Sequence, residues 1–190
     1  MNRREAITSV AWLLGGTVLG ADLFLNAACK PGNKDVSSLF EKEQLAFLNE
    51  VAETILPETS TPGAKAAKVG DFMAVMVRDC YTTEDQKVFM NGMTELDKTA
   101  DEKFGKNFME CNAKQRTDLL KELDIAQKDH QENKKEDEPN HYFRMMKELT
   151  LLGYFTSEVG ATKALRYLPV PGRYEGCVPY KKGDKAWATT

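Results

Sequence analysis

The sequence predicts an all-α domain, an irregular bundle of about six helices with an extended Pro/Gly/aromatic C-terminal tail. Three observations predict it. Apolar residues recur every three or four positions through most of the chain between Leu45 and Leu152, the period of a helix face. These runs are bounded by helix signals, such as Asn112 three residues ahead of Gln115 and Gly105 directly after Phe104. No segment alternates apolar and polar residues with the period of two that a half-buried strand needs, and no internal repeat is present.

Taken in order, Ser38-Leu39-Phe40-Glu41 reads as a capping box that opens the first helix, with Leu45, Leu48, Val51/Ala52 and Ile55/Leu56 on its apolar face. Pro57 stops it, and residues 58–70 form a loop around the Thr61-Pro62-Gly63 turn. Asp71 is the candidate cap of a second helix that buries Phe72, Val75/Met76 and Cys80. A third helix begins near Thr83, carries the stripe Phe89, Met93, Leu96, Ala100 and Phe104, and ends at Gly105. Asn112 and Gln115 form a capping box for a fourth, with Leu119, Leu120 and Leu123 facing inward. Residues 129–140 (DHQENKKEDEPN) lack apolar side chains and read as a solvated helix end and loop. A longer helix begins near Asn140 with Phe143, Met146, Leu149 and Leu152 on one face. Gly153 and Gly160 then break it, and Thr156 or Ser157 is a candidate cap for a short helix through Leu165. The following Leu168-Pro169-Val170-Pro171-Gly172-Arg173-Tyr174-Glu175-Gly176-Cys177-Val178-Pro179-Tyr180 cannot be helix, because three prolines and two glycines interrupt it. Either this tail wraps its own domain, or it lies on another protein, where Tyr, Trp and Arg are favoured.

The N-terminus has its own logic. Arg3 and Arg4 precede an apolar core from Ala11 to Leu25, and small residues lead into Cys29. A charged start, a short apolar core and a small-residue cut site make a secretory leader, and paired arginines point to the twin-arginine route. The core is too short and too rich in glycine for a membrane span of about 20 residues. The competing reading is an N-terminal helix packed into the domain. The chain thus divides into a signal peptide (residues 1–28), a polar tether (29–37) and a helical domain (38–190). Cys29 sits where a lipoprotein is acylated, although Asn26 stands where such signals usually have an apolar residue. The alternative is ordinary cleavage after Ala28.

Composition excludes several functions. Of 190 residues, 42% are apolar and 29% charged, which is ordinary for a globular chain and unlike a disordered one. A net charge of −3 gives no case for wrapping nucleic acid. Two histidines and four cysteines are few soft ligands, which argues against a multi-metal site or a haem. There is no Cys-x-x-Cys, no His-Glu-x-x-His, no Gly-x-Ser-x-Gly and no dinucleotide-binding glycine run after a strand. Neither His130, in the charged linker, nor His141, at a helix start, has a catalytic context, and helical carboxylates such as Glu95 and Glu102 read as a wet face. Catalytic, cofactor-binding and metal-binding residues are therefore expected to be absent. Cys80 and Cys177 are candidates for a disulfide stapling the tail to the bundle; three free thiols, Cys111 included, are the alternative.

Three segments carry a family resemblance: Thr54 to Ala64 (TILPETSTPGA), Lys147 to Glu158 (KELTLLGYFTSE), and Arg166-Tyr167 through Pro171-Gly172-Arg173-Tyr174. Together they resemble the gluconate 2-dehydrogenase subunit 3 family, from about Leu45 to Trp187. The resemblance implies a small, non-catalytic subunit of a flavin-dependent sugar or sugar-acid dehydrogenase. Its partner would be a glucose-methanol-choline-type flavoprotein that holds FAD, with a cytochrome c subunit, and so haem c, as a third component. The small subunit would carry the leaderless flavoprotein out of the cell. On that footing Gly153, Tyr154, Phe155, Thr156 and Ser157, with Pro171, Gly172, Arg173 and Tyr174, are expected at the flavoprotein contact or directly supporting it. Two other classes of function compete: an oxidoreductase in its own right, and a free-standing exported lipoprotein that binds a ligand.

Overall fold

The computed structural model describes residues 39–170, 172–173 and 176–188. Arg3, Arg4, Cys29, Ser38, Pro171 and Tyr174, with the leader and the tether, lie outside the described residues. Within them the chain forms five α-helices: α1 (Lys42–Ile55), α2 (Val69–Cys80), α3 (Thr83–Phe104), α4 (Ala113–Asn133) and α5 (Tyr142–Thr156). A 3-10 turn (Phe108–Glu110) precedes α4 and a π turn (Gly160–Ala164) follows α5. Among the described residues there is no strand, only an isolated bridge between Arg166 and Trp187. No helix among them is long and apolar enough to cross a membrane.

α3 and α4 form where the sequence places them. The Thr82 hydroxyl accepts from the Asp85 amide, and Gly105 ends α3 at φ +64°, a left-handed conformation that glycine adopts without a Cβ clash. Asn112 and Gln115 close a reciprocal capping box, so two amides that would otherwise lack partners at the start of α4 are satisfied. The predicted stripe of α3 is buried at Phe89, Met93, Leu96 and Ala100.

Three element readings are corrected. The capping box of α1 is formed by Glu41 and Gln44, three residues after the predicted one, because the Gln44 side chain reaches back to the Glu41 amide at 2.9 Å. α2 starts at Val69, so Asp71 lies in its first turn and does not cap it; Lys68, the preceding residue, is left-handed at φ 52°. The buried arc is consequently Val69, Gly70, Met73, Ala74 and Val77, with Phe72 and Met76 flanking and Cys80 exposed. Gly153 does not break α5, which runs on to Thr156; a Cβ there would lie 2.6 Å from the Phe72 ring, so the glycine lets α5 and α2 approach.

α5 is the organising helix, in contact with each of the other four. Its buried side presents Phe143, Met145, Met146, Leu149, Thr150, Gly153 and Tyr154. Gly92 admits it closely to α3, since a Cβ at that position would sit 2.3 Å from the Tyr142 side chain. On the α4 side, Asp124 accepts from Lys147 Nζ at 2.5 Å and pairs with Lys128, which holds its carboxyl down at about 2. The core also takes in Phe40, edge-to-face with Phe89, and Phe108, packed on Phe47.

Candidate functional site

Two stretches far apart in sequence, the loop after α1 and the end of α5, are built into one structure. Glu53, near the end of α1, accepts from the amides of Glu58 (2.8 Å) and Lys65 (2.7 Å), and so straps the intervening loop. Gly63 leaves room for this strap, since a Cβ there would fall 2.2 Å from the Glu53 carboxylate and displace it from the two amides. The Ala64 amide donates to the Leu56 carbonyl, closing the loop's neck. From 92 residues away, the Tyr154 hydroxyl donates to the Pro62 carbonyl at 2.5 Å. One step further out, Glu50 pairs with Arg116 and with Lys65. Burial raises its carboxyl, but the hydrogen bonds and charges of Lys65 and Arg116 outweigh that and hold it below the ordinary value. Arg116 also donates to the Phe108 and Met109 carbonyls, tying α4 to the same corner.

The end of α5 is terminated as firmly. The Ser157 hydroxyl donates to the Tyr154 carbonyl (2.6 Å) and accepts from the Gly160 amide (2.9 Å), capping the turn that follows. Gly160 packs so closely that a Cβ would lie 1.9 Å from the Tyr154 carbonyl oxygen.

On this rigid frame the outer face of α5 changes character along its length. Its first half carries the exposed ion pair Arg144–Glu148. Its second half carries Leu151, Leu152 and Phe155, at 39%, 47% and 39% exposure, on one helical face with no charged side chain among them. Sequence reasoning assigned Leu152 to the core; each step of three residues from Phe143 lags a full helical turn by about 60°, so Leu152 lies on the far side of α5 while Thr150, Gly153 and Tyr154 continue the buried face.

The structure therefore divides the expected contact residues. Gly153 and Tyr154 are buried, Phe155 and Thr156 are exposed, and Ser157 is half-buried. Gly172 (φ +73°) and Arg173 are exposed in the tail. Leu151 and Leu152 join Phe155 on the surface and were missed as surface residues; their i, i+4 and i, i+3 spacing to Phe155 was the available signal. Beyond the π turn, the Arg166 guanidinium lies 4.1 Å from the Trp187 ring centroid, and backbone bonds from Arg166 to Ala186 and from Ala188 to Arg166 fasten the two ends of the tail.

The remaining polar groups have structural occupations. His141 Nδ1 accepts from the Phe143 amide as the cap of α5, and His130 Nε2 donates to the Pro139 carbonyl. Burial, with a smaller effect of His130, pushes the His141 pKa down. Cys80, Cys111 and Cys177 are free thiols, Cys80 and Cys177 exposed and Cys111 buried. No cluster of three or more metal-ligating side chains occurs among the described residues. A cleft of about 480 Å³ lined by Thr82, Glu84, Asp85, Lys134, Asp137 and Glu138 contains no cysteine, serine or histidine.

This is a helical domain whose described surface offers an apolar face on a braced helix end. A family model described as gluconate 2-dehydrogenase subunit 3 matches residues 42–172. The chain belongs to that family, and is thus of the kind that serves as a subunit of a gluconate 2-dehydrogenase complex. No curated protein and no solved structure matches it.

Proposed function

We propose that this chain is the non-catalytic small subunit that escorts and stabilises an FAD-dependent sugar or sugar-acid dehydrogenase. The observation that carries the reading is the apolar half-face of α5, Leu151, Leu152 and Phe155, in a family whose members are dehydrogenase subunits. Such a face loses most of its cost of hydration when a partner covers it. The framework beneath it is already ordered by the Tyr154–Pro62 bond and the Glu53 strap, so little conformational freedom is given up on docking.

The partner is a glucose-methanol-choline-type flavoprotein that supplies FAD and the oxidation; a cytochrome c subunit with haem c passes the electrons on. No residue of this chain is assigned to either cofactor. The leader with Arg3 and Arg4 takes the folded pair across the membrane by the twin-arginine route, and acylation of Cys29 anchors it on the far side. The test is co-expression with the flavoprotein. Replacing Arg3 and Arg4 with Lys strands both chains in the cytoplasm under this reading; a flavoprotein that still reaches the periplasm overturns the escort role. Mass spectrometry of the mature N-terminus checks the anchor, with an acylated Cys29 expected and an unmodified terminus opposing it.

A further inference from the structure

The helical body and the tail differ in charge as well as in composition. Residues 39–158 contain 16 Lys/Arg and 24 Asp/Glu, a net of −8. Residues 159–190 contain six basic residues, Lys163, Arg166, Arg173, Lys181, Lys182 and Lys185, against Glu175 and Asp184, a net of +4. The chain is thus an acidic body with a basic arm, and its total of −3 conceals both.

The arm is held at its base. Arg166 and Trp187 stack at 4.1 Å, two backbone hydrogen bonds run between the segments that carry them, and Lys185 Nζ donates to the Lys163 carbonyl at the π turn. A second small turn is set by Asp184, whose carboxylate accepts from the Lys181 amide while its own amide donates to the Lys181 carbonyl. Between these fastenings the arm presents Tyr167, Leu168, Val170, Val178 and Tyr180, with Val170 and Tyr180 at 78% and 77% exposure. Lys181 and Lys182 are exposed beside Tyr180, and neither makes an ion pair among the described residues. Large exposed apolar groups on a strapped loop, interleaved with cations, have the makeup of a docking element and none of the makeup of a core.

We propose that residues 166–170 and 176–187 carry a basic docking element, the arm, that binds an acidic face of the catalytic subunit, alongside the uncharged contact of α5. This rests on the reading of the chain as that subunit's partner. The two contacts divide the labour. The α5 face has no net charge to steer with, and the −8 body repels any acidic surface. The arm supplies the attraction that brings the faces together in register, and Tyr180 and Val178 give up exposed apolar area once there.

The experiment uses the full chain and the purified flavoprotein, with association followed by surface plasmon resonance across a salt series. In the wild type the association rate falls steeply as salt shortens the Debye length to about 8 Å or less. Lys181→Glu/Lys182→Glu lowers the low-salt association rate at least about tenfold and flattens the salt series, with the melting temperature of the isolated chain unchanged. A complex whose association is equally salt-dependent in wild type and variant overturns the arm while leaving the subunit reading intact. No complex at any salt is the failure of the subunit reading itself. Wild-type binding to vesicles containing anionic phospholipid, lost in the variant while complex formation is unaffected, overturns the protein partner in favour of a lipid surface. A lowered melting temperature of the variant with an unchanged complex overturns the proposal by assigning the arm to its own acidic body.

Discussion

Tyr154→Phe separates a brace from a contact. The hydroxyl makes one bond, to the Pro62 carbonyl at 2.5 Å, and the ring is buried at 4% exposure. The substitution keeps the ring and deletes the bond. Pro62 is only half-buried, so water can reach part of its carbonyl and the loss stays near that of one ordinary hydrogen bond, about 1 kcal/mol. A domain of this size converts that into roughly 2–4 °C of melting temperature. Tyr154→Ala also removes the buried ring and costs about 3–5 kcal/mol. The assay is thermal unfolding of the isolated chain beside calorimetric titration with the flavoprotein. Tyr154→Phe is expected to lower the melting temperature by a few degrees and leave the affinity per folded molecule nearly unchanged. An unchanged melting temperature with an affinity loss of tenfold or more would refute the reasoning, because the hydroxyl would then belong to the partner and not to the loop.

Three further outcomes follow from the same structure. Gly92→Ala brings a Cβ within 2.3 Å of the Tyr142 side chain, prises α3 from α5, and destabilises the chain by about 1–3 kcal/mol in urea unfolding. His141, pushed down by burial and His130, favours its neutral form when folded, so its contribution is fully present above the ordinary value of 6.5 and is lost as pH falls through the lower folded value; His141→Asp, which keeps an acceptor at the helix start, removes that acid-side loss in denaturation followed against pH. In a Cys29→Ala chain, Cys80 and Cys177 react promptly with a thiol reagent while Cys111, buried and with its thiol pushed up by burial, reacts only on unfolding; two unreactive exposed positions would instead indicate that Cys80 and Cys177 are paired.

What was legible in the sequence was whatever is encoded locally. Gly105 and the Asn112–Gln115 box act within three or four residues, and they end α3 and open α4 where they stand. The charged linker behaves likewise, with α4 ending at Asn133. The cap of α1 shifted by a local exchange between Glu41 and Gln44, whereas the misplaced start of α2 and the supposed break at Gly153 came from long-range packing. Gly153 has the local character of a breaker, but its missing side chain is the space that Phe72 fills. Gly70 is similar: its amide donates to Asn49 Oδ1 at 3.0 Å, and a Cβ would meet that side chain at 2.7 Å, so α2 begins against α1 before the capping signal at Asp71. The outward position of Leu152 is a matter of helical phase, about half a turn round α5 from Phe143. The joining of the 54–64 loop to Tyr154 has no local signature, since the two partners are 92 residues apart and meet only in the folded core.

The account stands on Leu151, Leu152 and Phe155 being a docking face and not exposed core. Each retains some 40% of its surface to cover, which is worth about 1 kcal/mol per side chain. The direct measurement is the dissociation constant of the complex for Leu152→Ala/Phe155→Ala, beside the melting temperature of the isolated chain. The account predicts a rise of about thirtyfold in the dissociation constant, equivalent to about 2 kcal/mol, alongside a drop of a few degrees in melting temperature from losing the part of each side chain already covered within the domain. An unchanged dissociation constant, with a melting temperature several degrees lower, would contradict it.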